Sequence, residues 1–275
     1  MKSIAKEDEL RAYYHALFAA WGRQHWWPAR TRFEVIVGAY LTQNTAWTNV
    51  ERALRSLRAS GLLTIHGIRR VPLPQLEALI RSAGYFRQKA RRLKTFVKYL
   101  DQQYGGSLNR MFAQPTEKLR EELLALNGIG PETADSILLY AGNHPVFVVD
   151  AYTRRILDRH GILPEKSKYD EIRLLFERAL ATVAWAPSPA DYREKQILSV
   201  VRNLAGASHL PSPMSTANRS ALVQVYNEMH GLIVGVGKNY CLKSKAWCEQ
   251  CPLQEFLVTP RKPTSTNESP HGRAT

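Results

Sequence analysis

The stretch LNGIGPETADSILLYAGNHPVFVVDAY, Leu126 to Tyr152, sets a Gly-x-Gly turn, a helix-patterned run, a short apolar segment and a single carboxylate, Asp150, in close succession. Gly128 and Gly130 flank Ile129 between two runs with helical spacing, Thr116 to Leu126 and Glu132 to Ala141. Glycine at such a junction lets the chain turn tightly and lets a ligand come close to the backbone. The amides of the turn and of the first residues of the next helix, around Thr133, point outward, a geometry suited to a phosphate oxygen. The plainer reading is an ordinary glycine-rich helix connection. Asp150 precedes the helix start AYTRRIL, and Asp is a favoured N-cap, so capping alone is enough to explain it. Capping and catalysis are nevertheless compatible. One helix links the turn to the carboxylate and would hold a gripped phosphate in fixed register with it.

The rest of the chain is patterned in the same way. Apolar residues recur at helical spacing over Glu7 to Trp21, Phe33 to Leu41, Val50 to Ser60, Leu73 to Ser82, Lys89 to Gln103, Ala151 to His160 and Tyr169 to Thr182. A final helix is expected over about Ala221 to Gly231, and another near Gln196 to Leu204 between the loops AWAPSPADYREK and HLPSPMSTANRS. Glycine and proline punctuate between the runs. Strand-like alternation is scarce, and VFVV, Val146 to Val149, is too short to build a sheet. The fold class is therefore all-α. The tail from residue 258, rich in Pro, Ser and Thr, is expected to be disordered.

Lysine and arginine number 38 against 24 acidic residues in 275, a net charge of +14. Such an excess favours a polyanionic partner, most simply nucleic acid, with salt-sensitive binding. A basic surface kept for solubility is the alternative. Hydrophobic residues make up 44% of the chain, enough for a substantial core. No apolar run reaches the ~18 residues of a membrane span, and the charged start MKSIAKEDELRAYY has no apolar signal region. A cytoplasmic protein with no membrane partner is expected. The three cysteines, Cys241, Cys248 and Cys251, fall within eleven positions. An odd, clustered set argues for a metal or its remnant rather than for disulfides.

The segment LNGIGPETADSILLYAGNHPVFVVDAYTRRILDRHG resembles the helix-hairpin-helix, Gly-Pro loop and catalytic Asp of the endonuclease III superfamily of DNA glycosylases, and the likeness covers roughly residues 30 to 257. The resemblance implies that Asp150 helps to cleave the bond between base and sugar. It implies that Gly128, Ile129, Gly130 and Thr133 contact the DNA backbone. Bifunctional members carry a lysine two residues after the second hairpin glycine, which forms a Schiff base with the sugar. Here that position is Glu132, which cannot do so; the bland reading is a favourable first-turn acid near a helix dipole. The spacing Cys-x6-Cys-x2-Cys is similar to the first three ligands of the family's [4Fe–4S] cluster, and the fourth should fall at Leu257. Four thiolates normally hold such a cluster. Three readings stay open: a lost cluster with vestigial thiols and Leu257 packed where the sulfur sat, a three-Cys cluster, or zinc with an outside ligand. The basic loop with Lys238, Lys243 and Lys245 could still meet phosphate.

QHWWPARTRF places Trp26 and Trp27 beside Pro28, and the following helix ends with Gln43, Asn44 and Trp47. In relatives this region faces the DNA and the base pocket. Trp26, Trp27, Pro28 and Trp47 are candidates to stack on a flipped base, and a cationic N-alkyl purine would gain most from aromatic faces. Core packing of the Trp-Trp-Pro segment is the competing reading. Gln43 or Asn44 is the candidate to fill the gap left by the base. The Trp-Trp-Pro segment, LTQNT, Glu132 and the incomplete cysteine set together resemble the 3-methyladenine branch of the superfamily.

These observations predict a helical barrel over 33–145 ending in the hairpin, and a second helical domain from 1–32 plus 146–257, with double-stranded DNA in the cleft between them. The expected protein is a monomeric, monofunctional glycosylase for alkylated purines in base excision repair, cytoplasmic and nucleoid-associated in a bacterium, with no cofactor. Three alternatives remain: a glycosylase for mismatched or deaminated bases, a bifunctional lyase using a displaced lysine such as Lys238, and a non-catalytic DNA-binding protein.

Overall fold

A computed structural model describes residues 2–184 and 209–257, with side chains from residue 5. The helix expected near Gln196 to Leu204 and the tail from residue 258 lie outside the described residues. Within them the chain is helical, and only an isolated bridge between Cys241 and Ala246 pairs extended backbone. In order the helices are α1 (Lys2–Trp21), α2 (Arg32–Thr42), α3 (Trp47–Ala59), α4 (Ile65–Arg70), α5 (Leu73–Leu79), α6 (Phe86–Tyr104), α7 (Leu108–Phe112), α8 (Thr116–Leu124), α9 (Pro131–Ser136), α10 (Ala151–Arg159), α11 (Tyr169–Leu180) and α12 (Ala221–Asn239).

Local chemistry sets many of these boundaries. Thr31, Thr64, Ser107 and Ser220 cap α2, α4, α7 and α12 by accepting a first-turn amide in the side-chain oxygen. Pro131 opens α9, where a missing N–H costs nothing. Gly105, with φ +60°, closes α6. Two short helices, α4 and α7, are too brief to show a period in the sequence. The last helix runs eight residues beyond its expected end at Gly231, to Asn239. Its glycines are contact points rather than breakers: a Cβ on Gly237 would lie 2.2 Å from a ring carbon of Tyr152.

Helix α2 packs against α3 and α6, with α4, α5 and α7 also on α6. Helix α12 packs against α1, α10 and α11. Between these groups lies a wide π-helical turn, Ile137–Ala141, that continues α9 and touches both α2 and α12. Such turns interrupt α-helices mostly at functional sites. Every side chain of that turn is buried.

The VFVV run is fully buried yet pairs with no strand. Two of its amides are satisfied by side chains, Phe147 N donating to Glu177 Oε1 at 3.0 Å and Val149 N to the Tyr169 hydroxyl at 3.2 Å, while Val146 N donates to His144 O at 2.9 Å. Burying each of these apolar side chains contributes about 1.5–3 kcal/mol. An orphaned amide costs about 1–3 kcal/mol, enough to cancel one of them, so Glu177 and Tyr169 are needed for the run to enter the core. The run therefore leads from the core directly to Asp150, which is half-buried.

A buried ion pair fixes α9 against α8. Arg120 Nε and Nη2 reach Asp135 at 2.7 and 3.2 Å, and Nη2 also reaches Asp170 at 2.9 Å. Asp135 is wholly buried, and lost hydration pushes its carboxyl up, with the Arg120 guanidinium acting against that rise. Replacing Arg120 by Ala should leave this charge unpaired and cost about 3–5 kcal/mol, read as a lowered midpoint in urea unfolding.

Candidate active site

Asp150 is the N-cap of α10, with extended backbone. Its Oδ1 accepts the Thr153 amide and the Thr153 hydroxyl, each at 2.8 Å, and the Thr153 hydroxyl also accepts the Asp150 amide at 3.4 Å. This reciprocal box fixes the carboxylate plane. The second oxygen, Oδ2, lies 3.5 Å from Nε2 of His230, a polar contact longer than a hydrogen bond. Burial acts to raise the Asp150 carboxyl, but the His230 ring and the two Thr153 donors outweigh it and hold it below the ordinary range. Asp150 is thus an ionised carboxylate with one oxygen committed to the helix and one directed at the cleft.

Glu132 stands in the first turn of α9. Its side chain is open to solvent while much of the chain crowds around it. Lost hydration first, and the negative charge of Asp150 second, push its carboxyl up to about 7, against opposing pulls from His230 and Arg154. The two carboxyls shift in opposite directions within one cleft, the usual mark of acidic groups with separate tasks.

Three surface turns are stitched together beside this pair. Gln43 Nε2 donates to Gly128 O and to Thr133 Oγ1, both at 2.9 Å, and its Oε1 accepts Arg92 at 2.8 Å. Thr45 Oγ1 donates to Ala83 O at 2.6 Å. Lys89, buried, donates to Leu41 O, Ala83 O and Thr45 Oγ1 at 2.7–2.8 Å. Gly128 adopts φ +85°, and a Cβ there would sit 1.9 Å from Arg92 Nε, so this turn requires glycine twice over. Gly130 has open space around the position of a Cβ, and Ile129 is buried beneath the turn.

This stitching changes the expectation for the gap-filling pair. The Gln43 amide is already bonded to the hairpin turn on both its nitrogen and its oxygen, so it acts here as a brace. Asn44 is exposed and left-handed, with φ +51°. The adjoining turn presents a residue that the sequence reading missed: Tyr85, 71% exposed, with φ +45°, at the N-cap of α6 beside Arg81 and Arg87. The one sequence signal was a large aromatic directly after Gly84, where no helical face could bury it.

The Trp-Trp-Pro segment is more interior than expected for a stacking platform. Trp26 and Trp27 belong to the core, and Pro28 is half-buried. Trp27 meets Trp47 edge-on with centroids 5.2 Å apart and Tyr140 at 5.2 Å. Trp47 is half-buried, its indole nitrogen donating to Glu51 at 2.8 Å. An aromatic wall thus runs from Trp47 through Trp27 and Tyr140 to His230, with Trp26 edge-on to His230 at 6.0 Å. Tyr140 and His230 were not anticipated, because each lies on a helical stretch whose spacing reads as core.

The cysteine loop lies elsewhere, below α10. Cys241 is buried and accepts Arg159 at 3.2 Å, Cys248 is exposed, and burial pushes the Cys251 thiol up to about 11. No group of metal-ligating side chains forms among the described residues. With no fourth thiol in the chain, the three cysteines fall short of a four-thiolate cluster. Leu257 is only half-buried; the neighbouring Phe256 makes the packing contact instead, its ring 4.9 Å from that of Tyr13. Lys238 is exposed at the end of α12, and Lys245 lies over the Trp247 ring at 3.8 Å.

Comparison with known proteins fits this arrangement. The family described as HhH-GPD superfamily base excision DNA repair protein matches residues 37–182. A protein of Methanocaldococcus jannaschii named "Putative DNA repair glycosylase MJ1434" is 42% identical over 255 residues, covering 92% of this chain and 98% of its own. The crystal structure of the H. pylori 3-methyladenine DNA glycosylase MagIII bound to 1,N6-ethenoadenine is 26% identical, with a TM-score of 0.62 over 84% of this chain and 97% of that one. A non-covalent endonuclease III–DNA complex shares the fold at 20% identity, with a TM-score of 0.65 over 92% and 95% of the two chains. The match over more than half the chain, around a capped Asp150 and a braced Gly-x-Gly turn, identifies this protein as an endonuclease III-like member of the HhH-GPD superfamily of DNA glycosylases.

Proposed function

We propose that the protein is a monofunctional N-glycosylase that removes cationic, alkylated purines from double-stranded DNA by hydrolysis. The observation that carries this reading is the pairing of an ionised Asp150 with Glu132 in one cleft, where a strand-cleaving relative would need an amine. An N3-alkyl purine already carries positive charge, so the C1′–N bond breaks with its electron pair passing to the base, which leaves neutral. The sugar becomes oxocarbenium-like, and the Asp150 carboxylate stabilises that charge through Oδ2. Water then adds to C1′, its proton passing to Asp150 or solvent. The abasic strand stays intact. The similarity to a 3-methyladenine glycosylase supports the substrate class.

In this reading the chain acts as a monomer, with DNA between the barrel at 33–145 and the domain formed by 1–32 and 146–257. The three braced turns carry the duplex. The Gly128–Gly130 turn and the first turn of α9 meet a backbone phosphate. Asn44 and the exposed ring of Tyr85 meet the bases, since stacking of an aromatic on a base contributes about 1–3 kcal/mol. Trp47 faces the flipped base, with Trp27 and Tyr140 behind it. No step uses the cysteine loop. A second reading, release of a neutral damaged base, is favoured by one feature only: a Glu132 carboxyl half protonated near pH 7 can donate a proton to a leaving base.

Asp150→Asn should lower single-turnover release of 3-methyladenine from methylated DNA by about 10²-fold or more; release at the wild-type rate would remove Asp150 from the chemistry. Borohydride should trap no covalent DNA adduct with the natural chain, whereas Glu132→Lys should yield one. An adduct with the natural chain would instead support the displaced-lysine lyase.

Glu132 also sets a pH signature. Its folded carboxyl titrates at about 7, above its ordinary value of 4.5. The native state therefore holds more protons than the unfolded chain between those limits, and stability declines as pH rises through that window. Glu132→Gln should remove this decline, gaining on the natural chain in thermal midpoint at pH 8 relative to pH 5. Parallel pH curves for the two proteins would refute the assignment.

A further inference from the structure

His230 sits in the middle of α12, almost fully buried, after the buried polar residues Gln224, Asn227 and Glu228 and before the apolar Leu232 and Ile233. Its ring is clamped. Tyr140 lies roughly parallel to it with centroids 6.0 Å apart, while Trp26 at 6.0 Å and Phe147 at 6.4 Å meet it edge-on. Its Nδ1 is hydrogen-bonded to the Tyr140 hydroxyl. Its Nε2 is buried without a hydrogen-bond partner, 3.5 Å from Oδ2 of Asp150. A buried, unsatisfied nitrogen costs roughly 1–3 kcal/mol. A core histidine needed only for packing would have no reason to leave it aimed at the one free oxygen of the cleft's carboxylate.

The proton positions follow from the partners. Burial pushes the Tyr140 hydroxyl well above its ordinary range, so it keeps its proton. The tautomer in which the Tyr140 hydroxyl donates to Nδ1 carries the ring's own hydrogen on Nε2, facing Asp150. The titratable and charged groups facing His230 are Asp150 from the start of α10, Glu132 from α9 and Tyr140 from the π turn.

We infer that His230, oriented by Tyr140, is the positioning residue for Asp150: its Nε2–H holds Oδ2 in the orientation that faces the sugar. The Thr153 box can orient only Oδ1, and without a donor on the other oxygen burial drives the carboxyl towards its neutral form. At 3.5 Å the pair lies just beyond hydrogen-bond range, and a small approach of Oδ2 completes the bond. The π turn has a role in this scheme. Widening the helix at Ile137–Ala141 accompanies the placement of Tyr140 between α2 and α12, where its hydroxyl reaches Nδ1.

This inference rests on the glycosylase reading, and its test separates the two. His230→Leu, His230→Gln and Tyr140→Phe are compared with the natural chain in single-turnover base release across pH, in binding to DNA carrying an uncleavable abasic analogue, and in the carboxyl carbon-13 titration of Asp150. His230→Leu should lose at least tenfold in rate at pH 7 with unchanged DNA affinity. The acid limb of its rate profile and the Asp150 titration should both move to higher pH. His230→Gln, which keeps a donor, should recover part of the rate, and Tyr140→Phe should shift the titration in the same direction by less. If His230→Leu does not fold, the Gln and Phe variants decide the matter by the same two shifts. An unmoved Asp150 titration in the variants that fold overturns the inference whatever the activity. A moved titration in a protein that releases no base from alkylated DNA leaves the positioning intact and overturns the proposed reaction.

Discussion

The site depends on how the two oxygens of Asp150 are divided. Oδ1 closes the capping box with Thr153 and so belongs to α10. Oδ2 has no cap to serve and faces the cleft. A carboxylate used in this way is held in one orientation by a helix that would form in any case, which removes the entropy of placing a long side chain at the moment of reaction. Everything upstream serves to bring that cap to the right place. The buried VFVV run emerges from the core with its amides satisfied by Glu177 and Tyr169, and Asp150 is the first residue beyond it.

The second constraint is the bracing of three turns into one surface. Gln43 joins the end of α2 to the Gly128 turn, and Lys89 and Thr45 join it to the Ala83 turn. A basic protein meeting a polyanion needs backbone and side-chain donors held in register, because charge alone gives affinity without position. Here rigidity comes from buried polar contacts between sequence-distant loops rather than from long elements. It leaves Tyr85 and Asn44 displayed on either side in left-handed conformations, both open to solvent.

Much of the fold was legible because helices write a period into the chain. The runs from Phe33 to Leu41 and from Lys89 to Gln103 form within a few residues of their expected limits. Short helices such as Leu108–Phe112 were not legible, since five residues carry too little pattern. The end of α12 was misjudged because Gly231, where Gln24 and Trp26 approach the helix closely, looks the same in sequence as a glycine that ends one. At the site, the cap and the hairpin glycines were readable, for their chemistry is local. His230, Tyr140 and the brace by Gln43 were not, since each depends on a contact across 85 or more positions.

The sequence by itself determined the all-helical class, the hairpin with its Gly-x-Gly turn, the identity of Asp150 as a helix cap and the absence of lysine at position 132, because all of these are statements about neighbours along the chain. Only the tertiary structure decided that Trp26 and Trp27 are core, that Gln43 is engaged, that the charge of Asp150 acts on Glu132, and that a buried histidine from α12 lies beside the carboxylate. Burial, desolvation and charge coupling act through space, and their strength is set by which distant segments exclude water from the same few ångströms.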